Sequence, residues 1–160
     1  MEQNYVNIMM ETLQKKVGVL DAIIRKNEEQ SRILESDITD WDAFDKNADE
    51  KSDLIDKIEE IDQGFDSLFQ KVKDVLQSPA GKQTYKVQIG KMQQLITQIT
   101  EKSVEIQAAE VRNKALIEKR FAQSHQRIGQ SRTSSRVARD YYKNMQQAQV
   151  VAPAFLDKKN

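Results

Sequence analysis

Few residues in this chain have the type and spacing that chemistry requires. His125 is the only histidine in 160 residues, so a metal site or a Ser-His pair would have to be built around it. Neither a carboxylate nor a second metal ligand stands three or four residues away on either side, and His125 reads as a bystander in a polar stretch rather than a base. Asp37, Asp40, Asp42, Asp45 and Asp49 invite a calcium reading. They lack the glycine at the sixth loop position and the closing glutamate of an EF-hand, and helical spacing from Asp42 onward scatters them around a cylinder. They are expected to form a solvated acidic face. There is no cysteine, which excludes disulfides, thiolate ligands and cysteine nucleophiles. No glycine-rich phosphate loop, nucleophile elbow or dinucleotide fingerprint occurs. The inventory argues against an enzyme, and no catalytic residue, cofactor site or metal site is expected.

The remaining candidates are surfaces. Nine basic residues and two acids lie between Arg112 and Lys143, with Tyr141 and Tyr142 among them, a pattern that could meet phosphates and stack on bases. The sequence pI of 6.6 and the acidic first half count against it, and nucleic acid is not expected as a partner. Val137, Tyr141, Met145 and Ala148 are spaced by four, four and three, with Val150, Val151, Phe155 and Leu156 following around Pro153. That stripe suits a helix lying in, or accepting, a partner's groove. Folding back on the chain's own body, or forming a homodimer, would bury it equally well.

The elements that must carry these residues are helices. Five Gly and two Pro in the whole chain are too few for a turn-rich β fold. Apolar residues recur in three-four alternation along Val6, Met10, Leu13, Val17, Leu20, Ile24, Asn27, Ser31 and Leu34, which predicts a first helix over about residues 4–35. Thr39 with Asp42 resembles a capping box that opens a second helix over about 40–77. Its seam reads Trp41, Phe44, Ala48, Lys51, Ile55, Ile58, Asp62, Phe65, Phe69, Val72 and Leu76. A parallel row of Leu54, Ile61, Leu68 and Val75 gives this helix two neighbours to pack on. Gly64 lies within it with no cap or kink signal to explain it. Ser78-Pro79-Ala80-Gly81 ends it, and a third helix over about 81–121 carries Tyr85, Ile89, Met92, Ile96, Ile99, Ser103 and Ile106, with Leu95, Val104, Ala109, Leu116, Ile117, Phe121 and Ile128 drifting around the stripe and the pattern decaying after Phe121.

The fold class expected is therefore all-α: an elongated antiparallel three-helix bundle of coiled-coil-like hairpins over residues 1–121. Residues 122–160 would continue the third helix into a polar link and an amphipathic, helical or extended tail. A turn about residue 80 sets residue i opposite roughly 160 minus i. Charge follows that plan, because residues 1–80 hold 10 basic and 19 acidic residues and residues 81–160 hold 15 and 6. Arg112, Lys114, Lys119 and Arg120 should then lie alongside residues 40–48. Asn27, Ser31, Lys51, Asp62 and Asn113 interrupt the apolar seams and are read as specifiers of register or oligomeric state. No apolar run approaches 18 residues, so no membrane span is expected, and the opening Met1-Glu2-Gln3 lacks the features of a secretory signal. The location expected is cytoplasmic.

Three stretches carry a family resemblance: Leu34–Asp45 (LESDITDWDAFD), Glu50–Phe65 (EKSDLIDKIEEIDQGF), and Asp140-Tyr141-Tyr142-Lys143 with Phe155-Leu156-Asp157-Lys158-Lys159. Together they resemble the FlgN family of flagellar export chaperones. The resemblance implies a non-catalytic cytosolic chaperone that binds hook-associated subunits, those of the hook-filament junction, before export through the flagellar type III apparatus, with the export gate as a further partner. It also implies that cargo binds a C-terminal amphipathic segment, which falls here on Val137, Tyr141, Tyr142, Met145, Ala148, Val150, Val151, Phe155 and Leu156. The alternative from another class is a structural coiled-coil adaptor that oligomerises through the same tail.

Overall fold

The computed structural model describes residues 1–123, and every regular element in that range is an α-helix: α1 Glu2–Glu35, α2 Trp41–Gln77, α3 Pro79–Thr84 and α4 Lys86–Gln123. The three long helices have 34, 37 and 38 residues, each about 50–57 Å at 1.5 Å per residue. α1 and α2 are antiparallel, as Lys16–Asp62 and Lys26–Glu50 pairs show. α4 runs parallel to α1, matching Asp21 with Lys102 and Leu34 with Arg120. The bundle is all-α and three-helical, as the heptad spacing predicts.

The expected opposition of residues i and 160 minus i holds at Lys51–Glu110 and Trp41–Phe121. What differs is which helix is central. α1 packs closely on both α2 and α4, whereas α2 and α4 approach each other only thinly and meet through long side chains. The half-buried state of Leu54, Leu68 and Val75, in the same row as buried Ile61, follows from that wider spacing.

The buried row of α1 is Val6, Met9, Leu13, Lys16, Leu20, Ile23, Asn27, Gln30 and Leu34. It shares Val6, Leu13, Leu20, Asn27 and Leu34 with the sequence reading but exchanges the half-buried Met10, Val17, Ile24 and Ser31 for Met9, Lys16, Ile23 and Gln30. Two polar residues made that second row look exposed, and both are buried because α2 and α4 supply their partners. On α4 the residues after Ile106 do not drift around the stripe: Glu110, Asn113 and Ile117 continue the seam in three-four alternation, all buried.

Two junctions differ from expectation. The N-cap of α2 is Asp40, whose carboxylate accepts from Ala43 N at 3.1 Å, while Thr39 is buried one residue earlier. Pro79 does not merely stop α2. It occupies the first position of α3, where a missing N–H costs nothing, and Ser78 Oγ accepts from Gly81 N at 3.0 Å while donating to Val75 O at 2.7 Å. A Cβ on Gly81 would fall 1.7 Å from that Val75 oxygen, so only glycine fits the corner. The predicted third helix is thus two, hinged at Tyr85.

Candidate functional site

The bundle holds two apolar clusters separated by a polar layer. Most of the core is one cluster running from Val6 to Ile106 through Ile55, Phe65 and Met92. A second cluster, Leu34, Trp41, Phe44, Ala48 and Ile117, closes the end where α1 turns into α2. There Trp41 stacks on Phe121 with ring centroids 4.8 Å apart and meets Phe44 edge-on at 5.4 Å, geometries that aromatic quadrupoles favour.

Between the clusters sits Lys51. Its side chain is fully buried, and Nζ donates to Asn27 Oδ1 at 2.6 Å, Gln30 Oε1 at 3.0 Å and Glu110 Oε1 at 2.9 Å. An ammonium has three donors and no acceptor, so the two amide oxygens, not their nitrogens, must face it. Asn113 completes the layer by donating from Nδ2 to Asn27 O and Gln30 Oε1, each at 3.1 Å. One cation on α2 therefore ties together two residues of α1 and one of α4, and Asn113 of α4 binds the same two α1 residues. Burial pushes the Lys51 pKa down to about 8, with the nearby Glu110 carboxylate opposing the shift.

A lysine with such a pKa is the kind used as a nucleophile or base. Here its three donors are spent and no substrate atom can reach Nζ. The arrangement is suited to fixing helix register and the pairing of three helices. A largely buried counterpart lies nearer the other end, where Lys16 Nζ meets Asp62 Oδ1 at 2.7 Å. Burial raises the Asp62 pKa against the pull of Lys16. Asn47, fully buried, donates to Lys26 O at 2.9 Å and Glu29 Oε1 at 3.2 Å and extends the polar contact between α1 and α2.

On the outer side of the layer a cleft of about 260 Å3 opens between α1 and α4, lined among others by Ile24, Asn27, Ser31, Ile106, Arg112 and Asn113. Arg112 lies here against α1, and Arg120 Nε donates to Leu34 O at 2.7 Å. Of the four cations expected alongside residues 40–48, Arg120 is bonded to α1 instead and Arg112 lines the cleft between α1 and α4.

Of the polar seam residues singled out from sequence, Asn27, Lys51 and Asn113 come together in this layer. Asp62 joins Lys16 instead, and Ser31 Oγ donates to Glu35 Oε1 at 3.0 Å. Gln30 and Glu110 were missed. Both continue their helices' three-four alternation, and that position, not residue type, was the available signal. Of the five aspartates considered for calcium, Asp40 is a helix cap. Among the described residues no group of three or more His, Cys, Asp or Glu is placed to hold a metal ion, and no described helix is long and apolar enough to cross a membrane. His125 and the tail residues Val137, Tyr141, Tyr142, Met145, Ala148, Val150, Val151, Phe155 and Leu156 lie outside the described residues. No family model matches the chain, and no curated protein or solved structure is significantly similar to it.

Proposed function

We propose that this chain is an export chaperone of the FlgN-like kind. It works in the cytoplasm, binds hook-associated subunits through its C-terminal stripe and keeps them soluble for the flagellar type III apparatus. The observation that carries the reading is how the bundle uses its apolar residues. Residues 1–121 supply both core clusters, and the sequence carries a further apolar stripe beyond them, Val137, Tyr141, Met145 and Ala148 with Phe155 and Leu156. Two of the resembling stretches also have definite places in the fold. Leu34–Asp45 forms the aromatic end, and Glu50–Phe65 contributes Lys51 and Asp62.

In this mechanism the helical body is a handle, and subunit termini that would otherwise be disordered and aggregation-prone cover the apolar tail stripe and gain order on binding. Isothermal titration of the full chain with a hook-associated protein tests it. Tyr141→Ala with Met145→Ala should weaken binding by about 2–4 kcal/mol, the scale of interface hot spots, with helicity retained. Unchanged affinity in that double variant would remove the site assignment, and absence of binding by the unmodified chain would remove the chaperone reading.

A second reading, a coiled-coil adaptor that self-associates, is favoured by one surface. Val104 and Val111 on α4 are 60% and 71% exposed, and with exposed Ala108 and Ala115 they make an uncharged strip at helical spacing. Light scattering with and without residues 130–160 separates the readings. An oligomer lost on removing the tail, or on Val104→Asp with Val111→Asp, supports the adaptor, and a mass unchanged by either supports the chaperone.

A further inference from the structure

The cleft between α1 and α4 borders an unmet hydrogen bond. Asn27 lines it and is only 3% exposed. One branch of its carboxamide, Oδ1, accepts from Lys51 Nζ at 2.6 Å. Because an ammonium can only donate, the other branch must be the donor Nδ2. That nitrogen is buried and has no hydrogen-bond partner among the described residues, whereas buried donors in folded proteins are almost always paired. With Oδ1 directed at α2, the diverging Nδ2 is turned away from Lys51, and the cleft is the open space beside it.

The rest of the lining adds an apolar floor and a charged mouth. Ile106 is buried, and Ile24 and Ala109 are half-buried; the short side chain of Ala109 leaves room that a longer one would fill. Glu28 on α1 and Glu105 and Arg112 on α4 stand exposed around the opening. Arg112 lies two helical turns beyond Glu105, about 10.5 Å along the axis at 1.5 Å per residue. The mouth thus has a cation at one end and an anion at the other, and one arginine against two glutamates leaves it a net anion. A complementary occupant needs an oxygen acceptor for Asn27 Nδ2 and Arg112, an aliphatic stem for the floor and cationic groups for the glutamates. A basic α-amino acid has these parts in that order. The volume of about 260 Å3 equals that of about nine water molecules, enough for a ligand of about ten non-hydrogen atoms.

We propose that this cleft binds a free basic amino acid of the lysine or arginine kind. The carboxylate accepts from Asn27 Nδ2 and faces Arg112, the α-ammonium faces Glu28, the stem covers Ile24, Ile106 and Ala109, and the terminal cation meets Glu105. The site belongs to the helical body and does not rest on the export reading. Occupancy completes the hydrogen bonding of the layer around Lys51, so the ligand stabilises the bundle as it binds.

Titration of the full-length protein with L-lysine, followed by heteronuclear NMR, should shift the Asn27 side-chain amide and the backbone amides of residues 105–112 along a saturable curve, with a Kd of about 1 mM or below. Cadaverine lacks the carboxylate and should bind about tenfold more weakly or worse, because the buried donor stays unpaired. Norleucine lacks only the terminal cation, which meets an exposed carboxylate, and should lose about two- to fivefold. Glu105→Gln should bring lysine down to the norleucine level and leave norleucine unchanged. Ala109→Leu should fill the floor and abolish the shifts while helicity by circular dichroism is retained. The proposal is overturned if lysine produces no saturable shift of the Asn27 amide by about 10 mM, if cadaverine binds as tightly as lysine, or if folded Ala109→Leu still binds. Where Ala109→Leu does not fold, lysine affinity unaltered by Glu105→Gln overturns it instead.

Discussion

Lys51 Nζ on α2 lies 2.9 Å from Glu110 Oε1 on α4, an ion pair joining two helices that otherwise approach each other thinly. Two charges removed from water seldom gain net stability from each other. Their value here is positional, because only one register of three helices brings Asn27, Gln30 and Asn113 around them. Replacing Lys51 alone leaves those acceptors buried without their donor. Lys51→Met should cost about 3–5 kcal/mol, whereas Lys51→Met with Glu110→Leu should return to within about 1 kcal/mol of the parent or exceed it. Urea unfolding followed by circular dichroism measures both. Loss of a single oligomeric state in the double variant would show that the pair specified it.

The same lysine sets an alkaline dependence. Its folded-state pKa, about 8, lies below the ordinary 10.5 because burial disfavours the cation. Between those values the unfolded chain holds a proton that the native bundle has released, so this group's contribution to stability rises with pH across that window. The contribution is fully present above 10.5 and lost as pH falls through 8. The parent should therefore gain on the Lys51→Met, Glu110→Leu variant by up to about 3 kcal/mol between about pH 8 and 10.5. Paired denaturation curves at three pH values check the slope.

Gly64 and Gly81 should respond oppositely to alanine. A Cβ on exposed Gly64 meets nothing within 4 Å, so Gly64→Ala should stabilise by about 0.5–1 kcal/mol through helix propensity alone. Gly81→Ala would drive its Cβ into the Val75 carbonyl and should cost more than about 2 kcal/mol, since backbone must move. Melting temperatures shifted in opposite directions are the expected result.

Phe121→Ala opens one side of the Trp41 stack. Because Phe121 is only partly buried, the loss should be about 2 kcal/mol, below the usual range for a fully buried phenylalanine. The emission of Trp41 should shift to the red as water reaches its ring.

Much of this architecture was legible in advance because coiled-coil-like packing is written in spacing. The seam of α2 from Trp41 to Leu76 is recovered almost residue for residue. Reading failed where a polar residue occupies an apolar position. Lys16, Gln30 and Glu110 are buried only because partners arrive from helices distant in sequence, and no local pattern encodes an arrival. On α1 apolar spacing alone favours the row with Met10, Val17, Ile24 and Ser31, because nothing in the types of Lys16 and Gln30 signals their burial. Gly81 shows a second limit. Its necessity comes from the close approach of the Val75 oxygen, which spacing cannot express. Asn27, Lys51 and Asn113 were readable as seam interruptions, but their convergence required the parallel offset of α1 and α4.

The central place of α1 also orders events in time. Its contacts with α2 close loops of a few tens of residues, while those with α4 span about 81–86 residues, and nearer partners generally meet first. A hairpin of α1 and α2 would already offer Lys51 the oxygens of Asn27 and Gln30 while one side still faces water. The last dehydration of the ammonium then coincides with the docking of α4 and Glu110. Pulse-labelled exchange should accordingly find amides of α1 and α2 protected before those of α4, with Lys51 serving as the latch that the late helix closes.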